Sequence, residues 1–190
     1  LKTIGTWSEA KNINNAKVRY LNSTKAQYVD ETVYNRGMRE GGTPLTAASL
    51  GLSFHQSGWF VDLNGNYYDR IYLFYSPSYR YESALRLNIK RDNEGNNIIP
   101  EQAKGKGGFM LDGSIGKSIR LKKGQLNLNL MVTNLLNNQR IVTGGYEQSR
   151  TDYIVKDDGT TDPRTYKFPR NPKKYYAYGT NGMFQISYRF

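Results

Sequence analysis

The sequence predicts an all-β chain, specifically an antiparallel transmembrane β-barrel segment of about six strands from a larger barrel of the roughly 22-strand kind. Three observations predict it. Apolar and polar residues alternate with period two along several stretches, while helical period is nearly absent. Tight turns alternate with long polar connections, which places the turns at one end of the strands and the long connections at the other. No run of about 18 apolar residues exists, which excludes a spanning helix.

The elements follow in chain order. Residues 6–22 read as a weak strand region, with Val18 and Tyr20 against Lys17 and Arg19. Over 45–56, Leu50, Leu52 and Phe54 face away from Ser49, Ser53 and His55. Over 58–75, Trp59, Val61 and Leu63 oppose Asp62, Asn64 and Asn66. The stretch 107–121 sets Phe109, Leu111, Ile115, Ile119 and Leu121 opposite Asp112, Ser114, Ser118 and Arg120. Over 124–134, Leu126, Leu128, Leu130 and Val132 oppose Gln125, Asn127, Asn129 and Thr133. The last strand, 182–190, puts Phe184, Ile186, Tyr188 and Phe190 on one face and Met183, Gln185, Ser187 and Arg189 on the other. Gln56-Ser57-Gly58 and Lys122-Lys123-Gly124 read as tight hairpin turns. Residues 22–44, 76–106 and 137–181 are long polar connections of a kind uncommon in compact soluble domains.

Composition narrows the class. Hydrophobic residues make up 37% of the 190, and 27 Lys and Arg against 16 Asp and Glu give a net charge of +11. An apolar share this small makes a thick core hard to build. With no Cys there is neither a disulfide nor a thiolate zinc site. In a soluble sandwich the apolar face meets a second sheet; in an outer-membrane barrel it meets lipid and the polar face lines the lumen. Here the polar face is wet but low in net charge, which suits a lumen. Tyr20, Tyr67, Tyr68, Tyr72, Tyr75, Tyr79 and Tyr81 fall near strand ends, where an aromatic girdle would sit. Six strands are fewer than the roughly eight of the smallest such barrels, and about 22 strands of about ten residues need more than 190 residues. The chain is therefore expected to be an arc of a barrel whose two edges need partners. Leu1-Lys2-Thr3-Ile4 carries neither an initiator Met nor a signal-peptide pattern, so a processed chain or a piece of a longer one is expected.

The segment Leu126-Asn127-Leu128-Asn129-Leu130-Met131-Val132-Thr133-Asn134-Leu135-Leu136-Asn137-Asn138, followed by Thr143-Gly144-Gly145-Tyr146-Glu147-Gln148, resembles the C-terminal end of TonB-dependent outer-membrane transporters of the SusC/RagA-like branch. The closing Phe184-Gln185-Ile186-Ser187-Tyr188-Arg189-Phe190 is similar to that family's final strand, and the stretches 45–54 and 62–69 look like its later hairpins. The resemblance implies that residues 1–190 are one C-terminal β-barrel segment; the plug and the N-terminal barrel strands have no counterpart here. It implies import of a scarce nutrient (glycan, peptide or other ligand) across the outer membrane, driven by the TonB complex acting on the missing plug. A SusD-like lipoprotein lid often assists in this branch. No energy-coupling residue can be carried over. The expected surroundings are outer-membrane lipid, lipopolysaccharide and the remainder of the same barrel, with no nucleic acid.

Candidate sites are few. His55, the single His, lies on a polar strand face with no catalytic signature around it, and no enzymatic role, cofactor or metal is expected. The clusters 157–162 and 92–96 offer carboxylates that could hold calcium, but without EF-hand spacing they read as solvated turns. Residues 104–108 lack phosphate-loop spacing. The last long connection interleaves Arg140, Arg150, Arg164, Lys167, Arg170, Lys173 and Lys174 with Tyr146, Tyr153, Tyr166, Tyr175, Tyr176 and Tyr178. That mixture suits stacking and anion contact, and Arg140, Tyr146, Arg150, Tyr153, Arg164, Tyr166, Tyr175 and Tyr176 are the expected substrate or surface contacts at the mouth of a chamber. Phe184, Ile186, Tyr188 and Phe190 are expected to be read as the barrel-assembly signal. Two other classes fit the composition: a soluble basic β-sandwich or barrel binding anionic ligands or nucleic acid, and a small outer-membrane adhesin-type barrel.

Overall fold

The computed structural model describes residues 1–86, 92–95, 98–99, 101–147, 153–155, 161–163 and 172–190. Its strands are β1 (Lys2–Trp7), β2 (Ala16–Asn22), β3 (Gln27–Val33), β4 (Pro44–Gln56), β5 (Trp59–Ile71), β6 (Gly108–Leu121), β7 (Gly124–Thr133), β8 (Val142–Tyr146), β9 (Tyr153–Val155), β10 (Thr161–Pro163), β11 (Lys173–Tyr176) and β12 (Asn181–Arg189). A 3-10 turn at Pro77–Arg80 and one helical turn, α1 (Glu82–Arg86), are the helical elements among the described residues. Six strands form one antiparallel sheet in the order β1-β4-β5-β6-β7-β12, with β1 and β12 at its edges. The other strands pair in twos: β2 with β3, β8 with β11, β9 with β10. The all-β prediction holds, and the described strands make an open sheet.

Register bears out the expected faces. One row across the sheet reads Phe54, Val61, Ile115, Leu130, Phe184; the next reads Leu52, Leu63, Gly113, Val132. The opposite face presents Ser53, Asp62, Ser114, Met131 and Met183 in one row and His55, Phe60, Gly116, Asn129 and Gln185 in another. Side chains on the apolar face remain largely open: Phe54 is 56% exposed, Phe184 59% and Ile186 62%. The β4–β5 turn is Ser57-Gly58, both at positive φ (49° and 78°), as the right-handed twist of a two-residue hairpin demands. At the β6–β7 turn, Leu121 pairs with Gly124, so the loop is Lys122-Lys123 and Gly124 already belongs to β7.

The buried core lies at the long-connection end of the sheet. Ile71, Ile141 and Ala177 form one cluster, with Tyr68 and Met110 packed against it; Leu73, Ala103 and Val142 form a second. Backbone bonds tie the connections together there: Leu73 N to Ala103 O (2.9 Å), Phe74 N to Gly145 O (2.9 Å), Gly105 N to Ile71 O (2.8 Å) and Ala177 N to Ile141 O (2.9 Å).

Three expectations need correction. The region 6–22 is two strands, not one. β1 joins the main sheet, and β2 turns away to pair with β3, which lies inside a stretch expected to be loop. The reason is local: Asn12 donates to Met38 O (3.3 Å) and Asn15 accepts from Arg36 N (2.9 Å), so side chains between the strands occupy backbone groups a ladder would use. The connection 137–181 likewise holds β8 to β11. Finally, Tyr72 is buried and Tyr81 stacks on Tyr20 with ring centres 5.4 Å apart. Of the expected girdle tyrosines only Tyr67 stands on the apolar face, beside Phe109 and with Trp59 toward the other end.

Candidate functional site at the long-connection end

A cavity of about 520 Å³ opens where the polar face meets the core. Tyr68 and Met110, from the polar face of β5 and β6, form its floor, Ile71, Ile141 and Ala177 one wall, and Tyr176 and Tyr178 its rim. Among the described residues no charged side chain lines it, in a chain of net charge +11. Its size falls within the range of small-molecule sites, about 300–1,000 Å³.

Asn134 closes the polar corner of this cavity. The residue is buried at φ +52°, the left-handed region that Asn tolerates. Its Nδ2 donates to Tyr178 O (2.8 Å) and Asn138 O (3.3 Å), and its Oδ1 accepts from Asn138 N (2.9 Å). Its own N–H donates to Asp112 Oδ1 (2.8 Å), and its carbonyl accepts from the Thr180 hydroxyl (2.8 Å). Asn137, at φ +50°, accepts from Thr180 N (3.1 Å) through Oδ1. The run Asn134-Leu135-Leu136-Asn137-Asn138 is thus a clamp that fixes the exit of β7 to the start of β12. Asp112 continues the network across the polar face: Asn66 Nδ2 donates to its Oδ2 (3.0 Å), and the Ser49 hydroxyl donates to Asn66 Oδ1 (2.8 Å).

Two ionic devices hold the surrounding connections. Arg80 and Glu147 form a buried pair at 2.7 Å, 0% and 2% exposed, and Glu147 Oε1 also accepts from Ala103 N (2.6 Å). Glu9 is clasped by Arg39 (2.9 Å) and Arg70 (3.1 Å). Burial works against ionising Glu9, but the charge and hydrogen bond of Arg39, with Lys11 and Arg70, outweigh it and hold the carboxyl below its usual range. Arg70 also donates to Ser8 O (2.7 Å) and Leu45 O (2.8 Å) and lies 4.7 Å from the Trp7 ring centre.

Of the expected contact residues, the structure brings some together. Tyr146 stands edge-on to Tyr175 (6.1 Å between ring centres) and 5.7 Å from Phe74, with the Lys173 amine 5.4 Å from the Tyr175 ring. Tyr176 lines the cavity instead, because a register shift between Tyr175 and Tyr176 turns it aside from that pile. Arg140 is exposed, its backbone N–H donating to Asn138 Oδ1 (3.1 Å). Tyr153 belongs to β9, of which only the backbone is described; Arg150, Arg164, Tyr166, Lys167 and Arg170 lie outside the described residues, as does most of 157–162. Phe184, Ile186 and Tyr188 share the exposed apolar face, and Phe190, one residue beyond β12, is exposed beside the Tyr188 ring (5.9 Å between ring centres). His55 sits beside the Phe60 ring (6.5 Å). Asp92 and Gly95 form a turn, with Asp92 Oδ1 accepting from Glu94 N (3.0 Å). Sequence reasoning missed Phe74, Ile141 and Ala177 as site-forming residues, and missed Arg80 with Glu147. The available signal was Glu147, the one acid between Arg140 and Arg150.

Compared with protein-family models, curated proteins and solved structures, the chain matches none. What fold and site define is a class: an open antiparallel sheet, amphipathic by face, with its core and its cavity at one end.

Proposed function

We propose that the chain is the C-terminal part of the β-barrel of a TonB-dependent outer-membrane transporter of the SusC/RagA-like kind, a non-enzymatic importer of a scarce nutrient. One observation carries the reading. Between Lys117, level with Trp59 near the tight turns, and Asp69 at the far end of β5, the apolar face holds no charge. Asp69 lies ten residues along β5 from Trp59, which at a barrel tilt corresponds to a band about 25 Å tall, the height of an outer-membrane hydrocarbon belt. The alternative environment is water. Leaving Leu50, Leu52, Phe54, Leu63, Phe109, Ile115, Leu130, Phe184 and Ile186 half-wetted forgoes on the order of 10 kcal/mol, comparable to the whole net stability of a domain.

In this reading β1 and β12 join further strands of the same barrel, the tight turns face the periplasm, and the long connections face outside. The polar face, with its Ser49–Asn66–Asp112 ladder, lines the lumen, and the uncharged cavity lies at the lumen mouth. Ligand is captured by the outer connections, and its passage requires the plug, the TonB complex and, in a SusC-like pair, a lipoprotein lid. The test is to express the parent protein in a Gram-negative host, shave intact cells with protease and fractionate the envelope. Cleavage within 137–181, with the tight turns protected, in urea-resistant outer membrane is the expected result. A urea-extractable or soluble protein would overturn the membrane reading, and correct insertion without TonB-dependent uptake would favour an adhesin.

A further inference from the structure

We propose that the tight-turn rim of the sheet carries a binding site for the phosphate of an anionic phospholipid, centred on Lys117 and Trp59. The inference rests on the membrane reading above and specifies the lipid chemistry that the periplasmic rim takes.

Lys117 breaks the pattern of its strand. It falls on the apolar face, between Ile115 and Ile119, with Trp59 and Leu128 as its register neighbours. Among the described residues no ion pair engages it. Its amine instead bends toward the turn: Nζ donates to Ser57 O at 2.9 Å and stands 4.6 Å from the centre of the Trp59 ring. Two contacts of different kinds therefore hold the ammonium at the water-facing margin of the apolar face, the posture of a snorkelling lysine. An ammonium has three N–H donors, and Ser57 takes one of them. The half-exposed Trp59 ring brings an indole N–H to the same place.

The charged side chains around this pair have one sign. Residues 53–61, 117–126 and 187–190, which make up the rim, contain Lys117, Arg120, Lys122, Lys123 and Arg189 and no Asp or Glu. Asp62, the next acid in the chain, lies on the opposite face, where its carboxylate accepts from the Ser114 hydroxyl (3.2 Å). A zwitterionic headgroup would bring its own ammonium into this field; phosphatidylglycerol brings only its phosphate. The rim is thus selective for the anionic lipid over phosphatidylcholine.

The reporter is Trp59, read in the full-length barrel protein as the difference in quenching between the parent and Trp59→Phe. Both full-length proteins are reconstituted in phosphatidylcholine vesicles that carry the same minor fraction of either phosphatidylglycerol or phosphatidylcholine brominated near the headgroup. The expected result is stronger quenching of Trp59 by the brominated phosphatidylglycerol, corresponding to about fivefold local enrichment. That preference should vanish in Lys117→Gln and return in Lys117→Arg. Equal quenching by both lipids would overturn the anionic site while leaving the membrane reading standing. Quenching by neither would overturn both, and a preference that survives Lys117→Gln would overturn the assignment to Lys117.

Discussion

At Asn134 a single amide closes three connections. Its side chain reaches Tyr178 O and both backbone groups of Asn138, while its backbone reaches Asp112 and Thr180. Asn134→Ala leaves those buried partners without it and puts at φ +52° a side chain without the local hydrogen bonds by which Asn tolerates the left-handed region. The expected cost is about 2–3 kcal/mol, read as a lower urea midpoint in micelles. Glu9 gives a pH signature. Because its carboxyl titrates below the usual 4.5, the clasp with Arg39 and Arg70 contributes fully above that value and is lost as pH falls through the depressed one. Unfolding midpoints of the parent and Glu9→Gln chains should differ at neutral pH and converge in acid; a constant gap would show that the clasp is not ionic.

Individual elements differ in how openly the chain declares them. The strands β4 to β7 and β12 are long and one-sided, so alternation alone places them to within a few residues, and Phe184, Ile186 and Tyr188 fall on one face as the pattern says. β3, β8 and β11 escape that logic. They are short, they pair outside the main sheet, and their burial comes from packing against other connections, so Val142 and Gly145 are buried while Tyr146 beside them is open. Only glycine fits at Gly145, because at φ +144° a Cβ there would stand 2.0 Å from Lys173 O. Gly145→Ala should separate β8 from β11, at a cost of about 1–3 kcal/mol, and appear as new protease cleavage near Tyr146. For β12 the test is assembly. Phe184→Asp sets a carboxylate into the exposed apolar face, and Phe190→Ser removes the terminal ring; outer-membrane levels should fall in both, and unchanged levels would remove the signal role from this face.

For the molecule as a whole, the division between two ends organises everything else. Tight turns, five cations and the Lys117–Trp59 pair occupy one end; buried clusters, ion pairs and the uncharged cavity occupy the other. If the proposed function holds, deleting residues 151–171 from the full-length protein should lower uptake while sparing assembly, because the cavity walls and the Asn134 clamp lie outside that stretch. Uptake at parental rates would show that the mouth works without it.

Strand faces, the alternation of short and long connections and the amphipathic character of the sheet were all contained in the order of residues, because period-two alternation maps one-to-one onto the two sides of a pleated strand. The motif Asn134 to Asn138 could be recognised in the string, yet its clamp could not. Nor could the Arg80–Glu147 pair, 67 residues apart, or the cavity shared by β5, β6 and the segment after β11. Those features come from contacts between distant, irregular stretches whose spacing has no period. Their existence depends on how the connections pack on one another at the end of the sheet, and only the folded chain specifies that.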